Sequence, residues 1–425
     1  LMAISHYLTI LDRQRDIVTP HVIFGGKNPH PHYIVGGMPC SISMDDMNAP
    51  VNAARLASVD ESISLAKDLV NYFYLPDLLA IGHLYVKAGM VDGGGLAKKR
   101  VLAYGGYPDD TYTGIKDGDF FKKSLVRANG VVENFELGWE KATFTALEGE
   151  DLMNPDFLSE EINHSWFEYP NGETSLHPTE GVTKPAFTGP KTGTNKKWEF
   201  LDEEKKYSWI KSPTFKGKAC EVGPLAKYIV VYVKVKQGII KDPTWAEKMM
   251  VDQIDAVSKV LGVPAHVWMC STVGRTAARG LDAQVAANLS QHFYNRLIEN
   301  IKTGDTVVAD TRKFDPNSWP KEAKGVGLLD APRGGLGHWC VIKDGRVDNY
   351  QCIVPTTWNA CPKTIAGEHG AYEANMMDTK VKIADKPLEI LKGIHSFDPC
   401  LACATHLYNK KGEKIVSVNT DALCK

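Results

Sequence analysis

Long apolar runs, excess charge and paired cysteines are all scarce in this 425-residue sequence. No run approaches the roughly 18 consecutive apolar residues of a membrane-spanning helix, and no basic-then-apolar leader opens the chain. Lys and Arg number 49 against 51 Asp and Glu, a formal net charge of −2 with His neutral. That balance argues against nucleic acid or an anionic membrane surface as the main partner. The nine cysteines are an odd set at irregular spacing: Cys40, Cys220, Cys270, Cys340, Cys352, Cys361, Cys400, Cys403 and Cys424. A disulfide framework is not expected from them, and most read as free, buried small hydrophobes. There is no internal repeat and no low-complexity segment.

What is present is ordinary for a large globular chain: 43% hydrophobic and 24% charged residues. At about 150 residues per domain the length supplies two or three domains' worth of chain, enough to bury a core without disulfides or a structural metal. Ile4, Tyr7, Leu8 and Leu11 follow helical spacing from the first residues onward, so the chain opens as if in mid-helix. A Gly- and Pro-rich loop follows over 25–39. Helical periodicity returns over 54–75, with Leu56, Val59, Ile63 and Leu69 on one stripe. Residues 76–220 read as an irregular α+β excursion with a polar surface stretch over 181–206. Further helices are expected over 244–261, capped by Asp242 with Pro243 in the first turn, over 275–302, and over 387–394. Strand character dominates 325–358, with a hairpin turning at Asp344-Gly345. The fold class is therefore mainly α with α+β excursions.

One constellation carries metal chemistry. Asp398-Pro399-Cys400-Leu401-Ala402-Cys403-Ala404-Thr405-His406 places two thiols three residues apart, with an imidazole three further on. Such thiolates can share one soft metal. A redox dithiol or a chance spacing would look the same. A redox C-x-x-C, however, is expected near the start of a βαβ unit, and a zinc ribbon needs a second pair that is absent.

Those nine residues resemble the C-terminal signature of nickel–iron hydrogenase large subunits, and the likeness runs through the chain in order. Gly25-Gly26-Lys27-x-Pro29-His30, Ser212-Pro213-Thr214-Phe215, Glu221-Val222-Gly223-Pro224-Leu225, Gly274-Arg275-Thr276, Ala331-Pro332-Arg333-Gly334 and Val354-Pro355-Thr356-Thr357-Trp358-Asn359 all resemble that family. The membrane-bound uptake group is the most similar. The resemblance implies a central long-helix bundle with peripheral small sheets, incomplete at the N-terminus. It implies a nickel–iron centre whose iron carries cyanide and carbon monoxide. Cys400 resembles the terminal nickel thiolate and Cys403 the thiolate bridging both metals. Pro332 and Arg333 match residues lying over the iron, and Asp398 a carboxylate that orients the arginine. Pro355 and Thr356 match positions holding the diatomic ligands. A magnesium or similar ion is implied at His406 and the backbone carbonyl of Cys352. His30 and His32 could bind metal, although a structural or subunit-contact role is favoured. Taken singly, Arg333–Asp398 would be a surface salt bridge and Pro355–Thr357 a β-turn.

The resemblance further implies an iron–sulfur small subunit that holds all the clusters, and a cytochrome b-type membrane anchor reached through it. Nickel-insertion proteins and a maturation endopeptidase would act on the chain, and export to the periplasmic face would ride on the small subunit. Two departures stand out. The family's first cysteine pair is absent, together with a proton-shuttling glutamate and a magnesium carboxylate, so a truncated and by itself inactive chain is expected. Residues 407–425 extend past His406 and resemble a tail removed on maturation from the 1–406 catalytic region, with a turn and then a small strand over 415–418. The alternatives are a hydrogen-sensing subunit, which generally lacks such a tail, and the non-enzymatic core subunit of NADH:quinone oxidoreductases, which lacks the metal cysteines.

Overall fold

The computed structural model describes residues 2–32, 40–109, 111, 120–188, 204–309, 311, 314–383 and 386–400, together with the backbone of 404–408 and 414–419. Two compact units emerge, one of Leu1–Leu84 with Gly280–Pro320, the other of Tyr85–Arg279 with Lys321–Lys425.

The first unit is helical. It contains α1 (Met2–Ile17), α2 (Thr19–Gly25), α3 (Ala53–Asp68) and the start of α4 (Leu75–Lys87). Asn52 caps α3, its side chain accepting from the Arg55 amide. The helix expected over 54–75 is interrupted: Leu69–Tyr74 forms a π-helix, and the Leu75 amide donates to Val70. Pro76 follows immediately and has no N–H to continue the ladder, so the chain relaxes into a wider turn before resuming as α4. That helix occupies the first dozen residues of the stretch read from sequence as irregular. His6 on α1 pairs with Asp77 on α4 at 2.8 Å.

The second unit begins with the end of α4 and continues through α5 (Leu96–Lys99) into short strands. These are β1 (Arg100–Ala103), β2 (Gly106–Pro108), β3 (Ser124–Val126), β4 (Gly130–Glu133), β5 (Thr143–Ala146) and β6 (Leu158–Glu161). Then come β7 (Phe167–Glu168), β8 (Ser175–Leu176), β9 (Lys184–Pro185) and β10 (Ser212–Phe215). They form small antiparallel sheets, β1-β4-β5 and β10-β6-β8 among them. The expected α+β excursion is thus present from β1 onward.

Four helices follow: α6 (Pro224–Lys236), α7 (Trp245–Leu261), α8 (Ala265–Met269) and α9 (Thr272–Lys302). The last runs 31 residues, and its continuation from Gly280 belongs to the first unit. Helix α6 was not legible in the sequence because it is apolar all round, and it buries eleven of its 13 residues, including Lys227 and Lys234. The cap of α7 is Thr244, not Asp242. Thr244 accepts from the Glu247 amide while the Glu247 side chain accepts from the Thr244 amide, and this reciprocal box satisfies two orphan donors that Asp242 would leave open.

The strands β11 (Glu322–Ala331), β12 (Gly334–Lys343) and β13 (Arg346–Ile353) form one antiparallel sheet. The β12–β13 turn is Asp344-Gly345, both residues at positive φ (47° and 71°), as a tight hairpin of this hand requires. Then come α10 (Pro355–Asn359), α11 (Ala371–Met377) and α12 (Leu388–His395). At the end β14 (Ala404–Tyr408) pairs with β15 (Lys414–Asn419), His406 opposite Ser417. The strand expected over 415–418 lies in β15. A core of Leu102, Tyr104, Leu158, Phe215, Trp339 and Trp358 joins the sheets to α10. The expected mainly helical fold with small peripheral sheets is the observed one.

Candidate metal centre

Four of the motifs singled out in the sequence converge in the second unit, and backbone contact explains why. Pro332 and Arg333 form the two-residue connection between β11 and β12, whose flanking Ala331 and Gly334 pair. Gly334 sits at φ 118°, and a Cβ there would lie 2.4 Å from the Gly223 amide nitrogen. Glycine is obligatory where two backbones approach this closely. The neighbouring Val222 is clamped by Asn359, whose Oδ1 accepts from the Val222 amide at 3.0 Å while its Nδ2 donates to the Val222 carbonyl at 2.9 Å. Asn359 closes α10, so Pro355 and Thr356 at the start of that helix are fixed against the same segment and are buried.

Thr356 carries the link to the C-terminal signature: its Oγ1 accepts from the Cys400 amide at 3.3 Å. Two residues earlier Asp398 stands at φ 55°, the left-handed region that Asp tolerates better than most side chains. This turn aims both its carbonyl and its carboxylate at Arg333. Arg333 Nε donates to the Asp398 carbonyl at 2.8 Å and lies 3.2 Å from Oδ2, with Nη2 at 3.4 Å from Oδ1. Both side chains are about two-fifths exposed, 38% and 41%. The pair therefore adds little stability on its own, and its value is orientation. Cys400 is exposed beside it.

Arg275 and Glu221 form a deeply buried ion pair, 3% and 1% exposed and joined at 2.6 and 2.8 Å. Arg275 also donates to the Gly93 and Gly94 carbonyls at 2.6 and 2.7 Å, and its guanidinium carbon lies 4.0 Å from the centroid of the Phe397 ring. Sequence reasoning quoted Glu221 and Arg275 as motif members without giving them a part in the site. Their clue was opposite charge within otherwise apolar or glycine-rich motifs.

Cys352 lies on β13 opposite His338, its exposed Sγ 3.3 Å from His338 Nδ1. His338 Nδ1 is also 2.5 Å from the Tyr350 hydroxyl. Burial pushes the Cys352 thiol above its ordinary range. The expectation of buried cysteines holds for Cys220, Cys270 and Cys361, whereas Cys40 and Cys340 are half-buried. Desolvation raises the Cys220 and Cys270 thiols to about 12. That keeps them protonated and outside metal chemistry at neutral pH. Cys403 and the His406 side chain lie outside the described residues. His30 and His32 are exposed and belong to the first unit, so they do not join the residues above within one unit. Among the described residues no three His, Cys, Asp or Glu side chains group as a metal site.

The family of nickel-dependent hydrogenases matches residues 1–406. The chain belongs to that family. It is 42% identical over 421 residues to the hydrogenase-1 large chain of Escherichia coli (strain K12), which covers 98% of this chain and 66% of the relative. It is 44% identical over 422 residues to the uptake hydrogenase large subunit of Rhizobium leguminosarum bv. viciae, with the same two coverages. The chain thus spans slightly less than two thirds of the length of these relatives. The fold matches the Ni-Fe-Se hydrogenase of D. vulgaris Hildenborough in its as-isolated oxidized state, at a TM-score of 0.66 and 24% identity, over 93% of this chain and 69% of that one. At that identity the likeness concerns the fold. In this chain the Cys400 thiol, a soft donor, follows the Asp398 that orients Arg333, and its amide is bonded to Thr356 of the buried Pro–Thr pair.

Proposed function

We propose that this chain is catalytic large-subunit sequence of a nickel–iron uptake hydrogenase, acting on H2 to yield two protons and two electrons. The observation that carries the reading is the assembly around Cys400: Arg333 held by both the carbonyl and the carboxylate of Asp398, while Thr356 fixes the Cys400 backbone. Cys400 and Cys403 would hold the metals through their thiolates, with Pro332 and Arg333 over the iron and Pro355 and Thr356 against its cyanide and carbon monoxide. The centre, when bound, supplies a soft, redox-active Lewis acid that accepts the electron pair of H2.

The protein groups have distinct tasks. Cys400 Sγ accepts one proton as the H–H bond breaks. Arg333 would present its guanidinium donors to the metal centre, and Asp398 keeps that fork in one orientation so that no reorganisation is needed at the moment of reaction. Pro355 and Thr356 are buried and would pack against the bound group. His406 and the Cys352 carbonyl would serve a magnesium or similar ion. The 425 residues contain one C-x-x-C pair, Cys400 and Cys403.

The electrons would pass to an iron–sulfur small subunit, and through it to a cytochrome b-type anchor at the periplasmic side of the membrane. No described helix is long and apolar enough to cross a membrane. Nickel-insertion proteins and an endopeptidase acting after His406 would complete residues 1–406. In the full-length enzyme, Cys400→Ser should abolish both nickel content and hydrogen-dependent dye reduction. Retention of both would overturn the reading.

A further inference from the structure

Phe397, the residue before Asp398, is packed between two rigid groups. The Arg275 guanidinium covers its ring at 4.0 Å, and the Tyr372 ring lies 4.8 Å away at 44°. Arg275 cannot drift, because four hydrogen bonds fix it to Glu221, Gly93 and Gly94. Phe397 is 6% exposed in a small cluster with Leu96, Ala219 and Ala371. Helix α12 has already ended at His395; immediately after Phe397 the chain turns through Asp398 at positive φ, and Cys400 follows two residues on. From the other side the Cys400 amide donates to Thr356 Oγ1.

We propose that Arg275 is a positioning residue: its Glu221-locked guanidinium, acting through the face of Phe397, sets the turn that aims Asp398 at Arg333 and presents Cys400. This rests on the reading of Arg333, Asp398 and Cys400 as the metal site. A guanidinium over an aromatic face in a desolvated setting is attractive by itself, and a flat ion also defines the height and tilt of the ring. A buried ion pair is a poor source of net stability, so its placement under the residue that starts the site turn is better explained by geometry. Lys at 275 could pair with Glu221 but offers no plane to the ring.

The test uses the full-length enzyme with its small subunit, carrying Phe397→Leu, Phe397→Tyr or Arg275→Lys, alone and combined with Arg333→Lys. In metal-free protein, hydrogen exchange at the Cys400 amide should accelerate at least about tenfold in Phe397→Leu while the thermal midpoint stays near that of the parent. In loaded protein, Phe397→Leu should keep its nickel, lower kcat by about tenfold and leave KM for H2 unchanged. Phe397→Tyr, which keeps the ring, should restore both properties. In the Arg333→Lys background Phe397→Leu should cause no further fall, because the orientation it sets no longer matters. Equal falls in both backgrounds, or unchanged Cys400 exchange, would overturn the inference and leave the metal-site reading standing. Full activity in Arg333→Lys alone would overturn both. Should Arg275→Lys not fold, the Phe397 pair decides the question.

Discussion

Two helices, one from each compact unit, treat apolar surface in opposite ways. Helix α1 of the first unit has 16 residues and buries none, leaving Met2, Ile4, Tyr7, Leu8 and Leu11 exposed. Helix α6 of the second unit has 13 residues and buries eleven. The site residues belong to the second unit, and this fits what positioning demands. A loop such as 398–400 holds one geometry only when the elements under it cannot move, and close packing supplies that rigidity. In α1 the order comes from local helix bonds and a few polar ties, such as Ser62 Oγ donating to the Asp16 carbonyl at 3.1 Å.

Mutations should expose this contrast, the largest effects falling in the second unit. Arg275→Met strands the Glu221 carboxylate without its partner and should cost about 3–5 kcal/mol, read as a lower denaturant midpoint. The exposed Arg13–Asp16 pair of α1 gives the counterpart: Arg13→Ala should be close to silent. Ile229→Ala in α6 opens a cavity and should cost about 2–5 kcal/mol. Lys234 sharpens the point through pH. Burial lowers its pKa to about 8, so below that pH the fold holds a charge it disfavours. As pH rises above about 8 the folded lysine loses its proton before the unfolded one does. The contribution of Lys234 to stability should therefore climb between pH 8 and about 10.5, on the order of 3 kcal/mol in all, read as the difference between the parent and Lys234→Met midpoints across that range. Thr244→Ala removes the α7 cap and should cost about 1 kcal/mol. Among the apolar positions, Leu8→Ala on α1 should stay within about 0.5 kcal/mol. A large loss there would show that the α1 face is covered in solution.

The helices with a clear stripe were legible within a few residues, as was the Asp344-Gly345 turn, because helical periodicity and a left-handed dipeptide are local signals. Helix α6 was hidden because burial on every side erases periodicity. The α7 cap was misplaced because Asp242-Pro243 and Thr244 are both good starts, and the reciprocal bond to Glu247 chose between them. Asp398 beside Arg333 was anticipated from resemblance, and their hydrogen bonds are now explicit. Asn359 clamping Val222 had no signal beyond its motif.

The order of motifs and the chemistry of Cys400, Cys403 and His406 were written in the chain itself, since donor type depends on the side chain alone. Which residues meet was decided only by tertiary structure. Arg275 reaches Glu221 across 54 residues and Gly93 across 182, and pairings so distant arise from packing the whole unit, which no local pattern encodes.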